Sequence, residues 1–402
     1  MVVGPPAGVE AAPSEPDTLT LGMVDDLARE HSPGWAQLES QFEASVQGAR
    51  AEVRPANPSL GWDLEFLDEE GGRAWEQSLF MEKSFRLPAF RSRLMSHVDD
   101  QVSAAELERE SLEVAWLSEA RREFVSAAVA VEEVRLLAGL EGLIHRLEDM
   151  ARARAAEEEL SGVDLHLLEL GQYQLRSLLS EARLEEDRRR ARWEARMAME
   201  LPGHLDFDSE AVRAELTFPD EDAVLAWLED SPSARADRQA VAAARGSLEV
   251  EEARRWPEVD LLAGVRQVTP GDRGFVLGAA IPLPIRDGNR AAVERERARE
   301  RTGALEAARR SSGDRARARE LLRTLEEVEA QLASFPGEAG DPEPFLDALV
   351  TLYEDGREPL SGVLGSVTLL ADTYRSRFRQ LDLYFDALFE LEALTGRRLV
   401  AH

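Results

Sequence analysis

The sequence predicts a mainly α-helical protein with a small β part and an internal two-fold repeat. Three observations predict it. Ala, Leu, Glu and Arg dominate the 402 residues while aromatic residues make up only 6%, a composition that favours long helices. Period-two apolar stretches interrupt the helical pattern twice, at 58–87 and 258–285, and each reads as a β-hairpin. Finally, one order of elements recurs: helix, hairpin, long helix, tight link, long helix. Pro58 corresponds to Pro257, Leu87-Pro88 to Leu283-Pro284, and LSGV occurs at 160 and again at 360.

Residues 1–18, rich in Pro, Ala and Glu, read as a flexible segment, and 19–52 as one amphipathic helix entered near Thr20. The first repeat is expected to run over 19–202 and the second over 203–402. In PSLGWDLEFLD (58–68), Leu60, Trp62, Leu64 and Phe66 alternate with Ser59, Gly61, Asp63 and Glu65. A strand is therefore expected with one greasy and one wet face. A turn at 68–74 leads to a less regular strand over 76–87, closed by Pro88. Residues 89–156 read as helix, softened near Gly139 and Gly142, and a tight link at 160–164 precedes a helix to about residue 200, ended by Pro202, Gly203 and His204.

Shorter helices are expected over 208–231, and a longer one over 233–255. VDLLAGVRQV (259–268) and FVLGAAIPLPI (275–285) are strand-like, joined by a turn at 269–274. In the latter, Phe275, Leu277, Ala279, Ile281, Leu283 and Ile285 share one face, opposite Val276, Gly278, Ala280, Pro282 and Pro284. Proline cannot donate to a sheet ladder, so Pro282 and Pro284 mark a strand that is ending. Residues 286–332 again read as a long charged helix with a Leu321, Leu325, Val328 and Leu332 stripe. A break at 335–344, a helix to about 356, a bend at GREPLSG and a last helix to about 395 complete the chain.

Four strands supplied as two distant hairpins make a poor independent sheet. Strands of about 9–11 residues, greasy on one face and small or polar on the other, have the length and alternation of a transmembrane β-barrel, which must close because lipid cannot satisfy an open edge. Several identical chains would close one where a single chain cannot. Asp63 and Glu65 are then the candidates for the barrel lumen, and Leu60, Trp62, Leu64, Phe66, Phe275, Leu277, Ile281 and Leu283 for the lipid face.

A net charge of −30 argues against nucleic acid, which calls for a basic footprint. The chain has no cysteine, so disulfides and thiolate chemistry are excluded. Its six histidines form no i,i+4 pair and no HExxH motif, and no phosphate-cradling glycine loop or nucleophile elbow occurs. No catalytic residue, metal site or cofactor is expected. As written, the N-terminus has neither the basic nor the apolar region of a secretory signal, so either the chain stays in the cytoplasm or its leader is missing.

The sequence resembles the TolC family of outer-membrane efflux channels, particularly its heavy-metal efflux branch. The likeness is carried by LTL at 19–21, EHSP at 30–33, ANPSL at 56–60, FRLPAFRSRL at 85–94, RADRQAVAAARGSLEVEEARRWPEVDL at 235–261, IPLPIRDGNRAAVERERARE at 281–300, YEDGREPLSGVLGSVTLL at 353–370 and FELEALTGRRL at 389–399. It implies a homotrimer with a twelve-stranded β-barrel in the outer membrane and a tunnel of long antiparallel helices across the periplasm. It also implies a periplasmic adaptor and an inner-membrane pump as partners, with metal cations or other small molecules passing through. Pro88, Pro282 and Pro284 would mark the barrel-to-tunnel junction. At the periplasmic tips, Tyr353, Gly356, Arg357, Pro359, Val363 and Leu364 match the family pattern, but Gly362 stands where an acidic residue is common. The other tip has Asp164 in the acidic position and lacks the glycine that usually precedes it.

The rival expectation is a soluble coiled-coil scaffold or adaptor-like protein, favoured by the acidity and the absent signal. Against it stand the alternating apolar faces, which in water would be aggregation-prone.

Overall fold

A computed structural model of the protein describes residues 18–69, 72–156, 162–207, 219–254, 258–268, 271–281, 288–335 and 343–400. The chain opens with β1 (Thr18–Thr20), α1 (Leu21–His31) and α2 (Pro33–Glu52). The single helix expected over 19–52 is therefore broken. Ser32 takes extended angles, φ −71° and ψ 122°, because the ring of Pro33 crowds the helical well of the residue before it. β1 pairs in parallel with β4 (His204–Asp206), Leu19 opposite Leu205. Only Thr18 of the expected flexible segment lies among the described residues, and it belongs to this strand.

Between these come β2 (Ser59–Glu69), β3 (Gly72–Phe85), α3 (Pro88–Ala156) and α4 (Gly162–Met197). Pairing between β2 and β3 continues to Glu69 opposite Gly72, so the first hairpin reaches into the expected turn at 68–74. Pro88 opens α3, where its missing N–H is harmless and its fixed φ suits the first turn. The helix runs 69 residues straight through Gly139 and Gly142, without the expected softening. Leu140 and Leu143, fully buried, hold that stretch in its core.

The remaining elements are α5 (Glu221–Glu229), α6 (Pro232–Ala253), β5 (Val259–Val268), β6 (Asp272–Ala280), α7 (Arg290–Ala333), α8 (Glu343–Glu354) and α9 (Leu360–Thr395). β6 starts inside the expected turn at 269–274, since Asp272 already pairs with Val268, and stops short of Pro282. Pro282, Leu283 and Pro284 lie outside the described residues. Gly396, at φ 69°, ends α9 in the left-handed conformation that glycine adopts without a Cβ clash.

By its contacts the chain forms two compact units. One takes in the chain up to Gln37, Glu113–Glu229 and everything from Arg315, the other Leu38–Leu112 and Asp230–Asp314. Each draws on both halves of the sequence. Among its described residues the first unit has only helices besides β1 and β4 as regular elements, with one core around Phe124, Trp193, Tyr384, Phe385 and Phe389 and another joining Leu137–Leu147 of α3 to Leu168, Leu175, Tyr353, Val363 and Val367. A fully buried leucine there contributes about 1.5–3 kcal/mol. Buried Arg121 bridges Asp25 (3.0 Å) and Glu392 (2.8 Å), and Glu392 also accepts the Leu399 and Val400 N–H groups. Burial lowers the Arg121 pKa and raises that of Glu392. The second unit holds the four-stranded sheet and a small core of Phe90, Leu94, Val250 and Ala253.

Candidate functional site

The sheet has the order β2-β3-β5-β6, antiparallel throughout. Residues directly opposite in such a sheet share a face, so the register assigns every side chain. One face carries the rows Leu64–Gln77–Gln267–Arg273, Trp62–Leu79–Val265–Phe275 and Leu60–Met81–Ala263–Leu277. Phe275 is 89% exposed, Leu277 83% and Phe66 74%. Ile281 is also exposed but follows the last residue of β6. Among the described side chains of this face, the only charges are Lys83 and Arg273.

Asp63 and Glu65 lie on the opposite face, where the register also puts Glu76, Glu82, Asp260 and Asp272. The one cation among the described side chains of this face, Arg266, is ion-paired with Glu76, and the Ser84 hydroxyl donates to Asp260. The two faces of the sheet thus carry opposite signs. A wall of this kind concentrates cations beside it and repels anions.

Phe80 sits on the acidic face between Gly61 and Gly264. A Cβ at Gly61 would lie 2.5 Å from its ring, and one at Gly264 would strike the Leu79 carbonyl and approach the Phe80 Cβ to 2.6 Å. Glycine on both neighbouring strands therefore leaves room for the ring. Neither edge of the sheet, β2 or β6, pairs with another strand among the described residues.

Where hairpin passes to helix, the structure shows ties that the prolines alone do not announce. Before Pro88, the Arg86 guanidinium donates to the Glu52 carbonyl at the end of α2 (2.8 Å). In the second half, Asn289 enters α7 with φ 60° and its side-chain amide donates to the Glu251 carbonyl (2.9 Å) and carboxylate (2.7 Å). Sequence reading missed this residue. The signal was present in Asp287-Gly288-Asn289, since asparagine is one of the few side chains that tolerates the left-handed region.

The residues expected at the tips lie in the helical unit. Asp164 occupies the first turn of α4, where a negative charge complements the helix dipole. Gly356 ends α8 at φ 69°, with the Arg357 N–H returning to the Leu352 carbonyl (2.9 Å), and Pro359 precedes α9. At Gly362 a Cβ would collide with the Glu358 carboxylate. Glu358 thus brings an acidic group to the place where the sequence lacks one. Arg154 lies 4.5 Å over the Tyr353 ring and donates to the Glu354 carbonyl (2.7 Å), while Leu364 packs 3.3 Å from the Cβ position of Gly171. The ends of α3 and α8 and the starts of α4 and α9 therefore meet in one core.

No group of three or more metal-ligating side chains occurs among the described residues, and no described helix is long and apolar enough to cross a membrane. One carboxylate is strongly perturbed. Burial pushes Asp382 up to about 6 against the opposing pull of Arg189, 2.7 Å away.

Long helices continuous with a four-stranded antiparallel sheet define the class: this is the fold of the TolC-like channels, with their helical tunnel and β-barrel parts. Among solved structures, the chain is similar to the outer membrane protein VceC from Vibrio cholerae, at 13% identity and TM-score 0.72 over 94% of this chain and 96% of that one. It is also similar to the CmeC outer membrane channel of Campylobacter jejuni, at 12%, 0.71, 98% and 93%, and to CusC, at 13%, 0.70, 93% and 90%. No protein-family model and no curated protein matches the sequence. At such identities the likeness is one of fold.

Proposed function

We propose that the chain is the protomer of an outer-membrane export duct that catalyses no reaction. The observation that carries this reading is the sheet: apolar outside, acidic inside, and open at both edges. Closing both edges requires further copies, each pairing its β6 with the β2 of the next, a head-to-tail contact that closes into a ring. Three copies of four strands make a twelve-stranded barrel in outer-membrane lipid, and the two sequence repeats combine in each protomer. The long helices then form the periplasmic tunnel, and the tips around Asp164, Gly356, Glu358 and Pro359 dock a periplasmic adaptor linked to an inner-membrane pump. Asp63, Glu65 and their acidic neighbours face the lumen and favour cations, so metal cations suit the duct better than anionic small molecules. Pro88 and Asn289 sit where barrel passes to tunnel.

The test is to express the chain behind a functional signal peptide, fractionate the membranes and weigh the detergent-extracted particle. A trimer in the outer-membrane fraction supports the duct. A soluble monomer or dimer, despite proven export, overturns it in favour of a helical scaffold.

A further inference from the structure

The apolar face of the sheet is not uniform. Between two of its adjacent rows lies a groove of about 510 Å³. Trp62, Leu79, Val265 and Phe275 supply its apolar lining, and Gln77, Gln267 and Arg273, from the next row toward the hairpin turns, its polar end; Gly274 and Arg266, the latter ion-paired with Glu76, complete the lining. The Gln77 side-chain amide donates to the Gln267 carbonyl oxygen at 3.2 Å. That orients the Gln267 amide and leaves its own N–H groups as donors beside the Arg273 guanidinium. No described carboxylate pairs with Arg273.

This cation is out of keeping with its surroundings. The chain as a whole carries −30, the opposite face of the sheet is lined with carboxylates, and the other arginine of the groove, Arg266, is already paired with Glu76, so Arg273 belongs to no general basic patch. A guanidinium on an apolar barrel face is tolerated near an interface, and it is satisfied best by a phosphate, whose oxygens accept its paired N–H groups.

We propose that this groove is a lipid site: an acyl chain lies over Trp62, Leu79, Val265 and Phe275, and the lipid's phosphate is held by Arg273 and the Gln267 amide. The proposal rests on the reading of the sheet as part of a membrane barrel. In that barrel the hairpin turns lie at the end away from the tunnel helices, so the occupant is a phosphate-bearing lipid of the outer leaflet.

The experiment is native mass spectrometry of the detergent-extracted full-chain particle titrated with lipid A or with dephosphorylated lipid A of the same acyl count. Retention of lipid A should exceed that of the dephosphorylated lipid by about tenfold, the scale of one charge-assisted contact. Arg273→Gln should abolish the difference, Arg273→Lys should keep most of it, and Phe275→Ala should weaken both lipids alike. Excess inorganic phosphate should not displace the lipid, because it lacks the acyl chain; displacement would make the site one for free phosphate and overturn the proposal. Equal retention of both lipids, or a preference that survives Arg273→Gln, would also overturn it. The mass and membrane fraction of the same particle separate the two readings. A membrane trimer without lipid preference sinks the lipid site alone, and a soluble particle sinks both.

Discussion

In the core of the helical unit large apolar side chains are sealed from the surface: Trp193 and Tyr384 are 0% exposed and Phe385 is 2%. On the sheet they stand out, Phe275 at 89% and Leu277 at 83%. The residue types are alike and the treatment is opposite. A helix can bury its stripe against other helices of the same chain, whereas a four-stranded sheet with two bare edges has nothing of its own to cover it. The helical unit therefore closes cores of its own within one chain. The sheet does not; in the duct we propose, lipid on its face and strands of further copies at its edges complete it.

Truncation inside the first region should have the largest effect. Leu388→Ala, at a fully buried position, should lower stability by about 2–5 kcal/mol in denaturant unfolding followed by circular dichroism. Leu277→Ala should change the same measurement by less than about 0.5 kcal/mol. Similar losses at both positions would break the contrast.

Charge should reverse the ranking. Leu277→Arg should hinder membrane assembly by about 2–4 kcal/mol if it lies near the bilayer midplane, read as loss of the membrane-extracted oligomer. Glu65→Arg should leave assembly intact and reduce cation selectivity in planar-bilayer conductance. If both are tolerated equally, the assignment of the faces is wrong.

Glycines sharpen the comparison within the sheet itself. Gly264→Ala forces a methyl against the Leu79 carbonyl and Phe80 and should cost about 1–3 kcal/mol. Gly274→Ala, with nothing within 4 Å of its Cβ position, should have a much smaller effect. Thermal melting of the two variants in detergent distinguishes them.

A modest effect concerns pH in the helical unit. Asp382 holds its proton more tightly in the folded protein, at about 6, than at the ordinary 3.8. Its contribution is therefore fully present below pH about 3.8 and is lost as pH rises through about 6. Asp382→Asn should flatten that part of the stability–pH curve, by about 1 kcal/mol given its residual exposure. An unchanged curve would mean that Arg189 offsets the burial completely.

What was legible in the sequence followed from local pattern. Leu60 to Phe66 alternate without interruption, so that strand and its two faces were readable, as was the helix start at Pro88. The other acidic-face residues, Glu76, Glu82, Asp260 and Asp272, were not, because their side depends on a register set by the pairing of β3 with β5, far apart in the chain. Phe80 between its two glycines was hidden for the same reason. The three-residue strands β1 and β4 are too short to show a period, and Glu358 reaches the place of Gly362 only through the turn at Gly356. The break at Ser32-Pro33 was readable and was missed: a residue before proline leaves the helix whatever the amphipathic pattern around it.

The two open edges have a genetic consequence. In the head-to-tail ring we propose, each chain offers one edge and receives another, so a chain damaged only along β6 still enters through an intact β2. The ring then contains a seam that its sound members cannot repair. Such alleles should be dominant when expressed beside the normal gene, whereas alleles that unfold the helical unit, and so never join a ring, should be recessive.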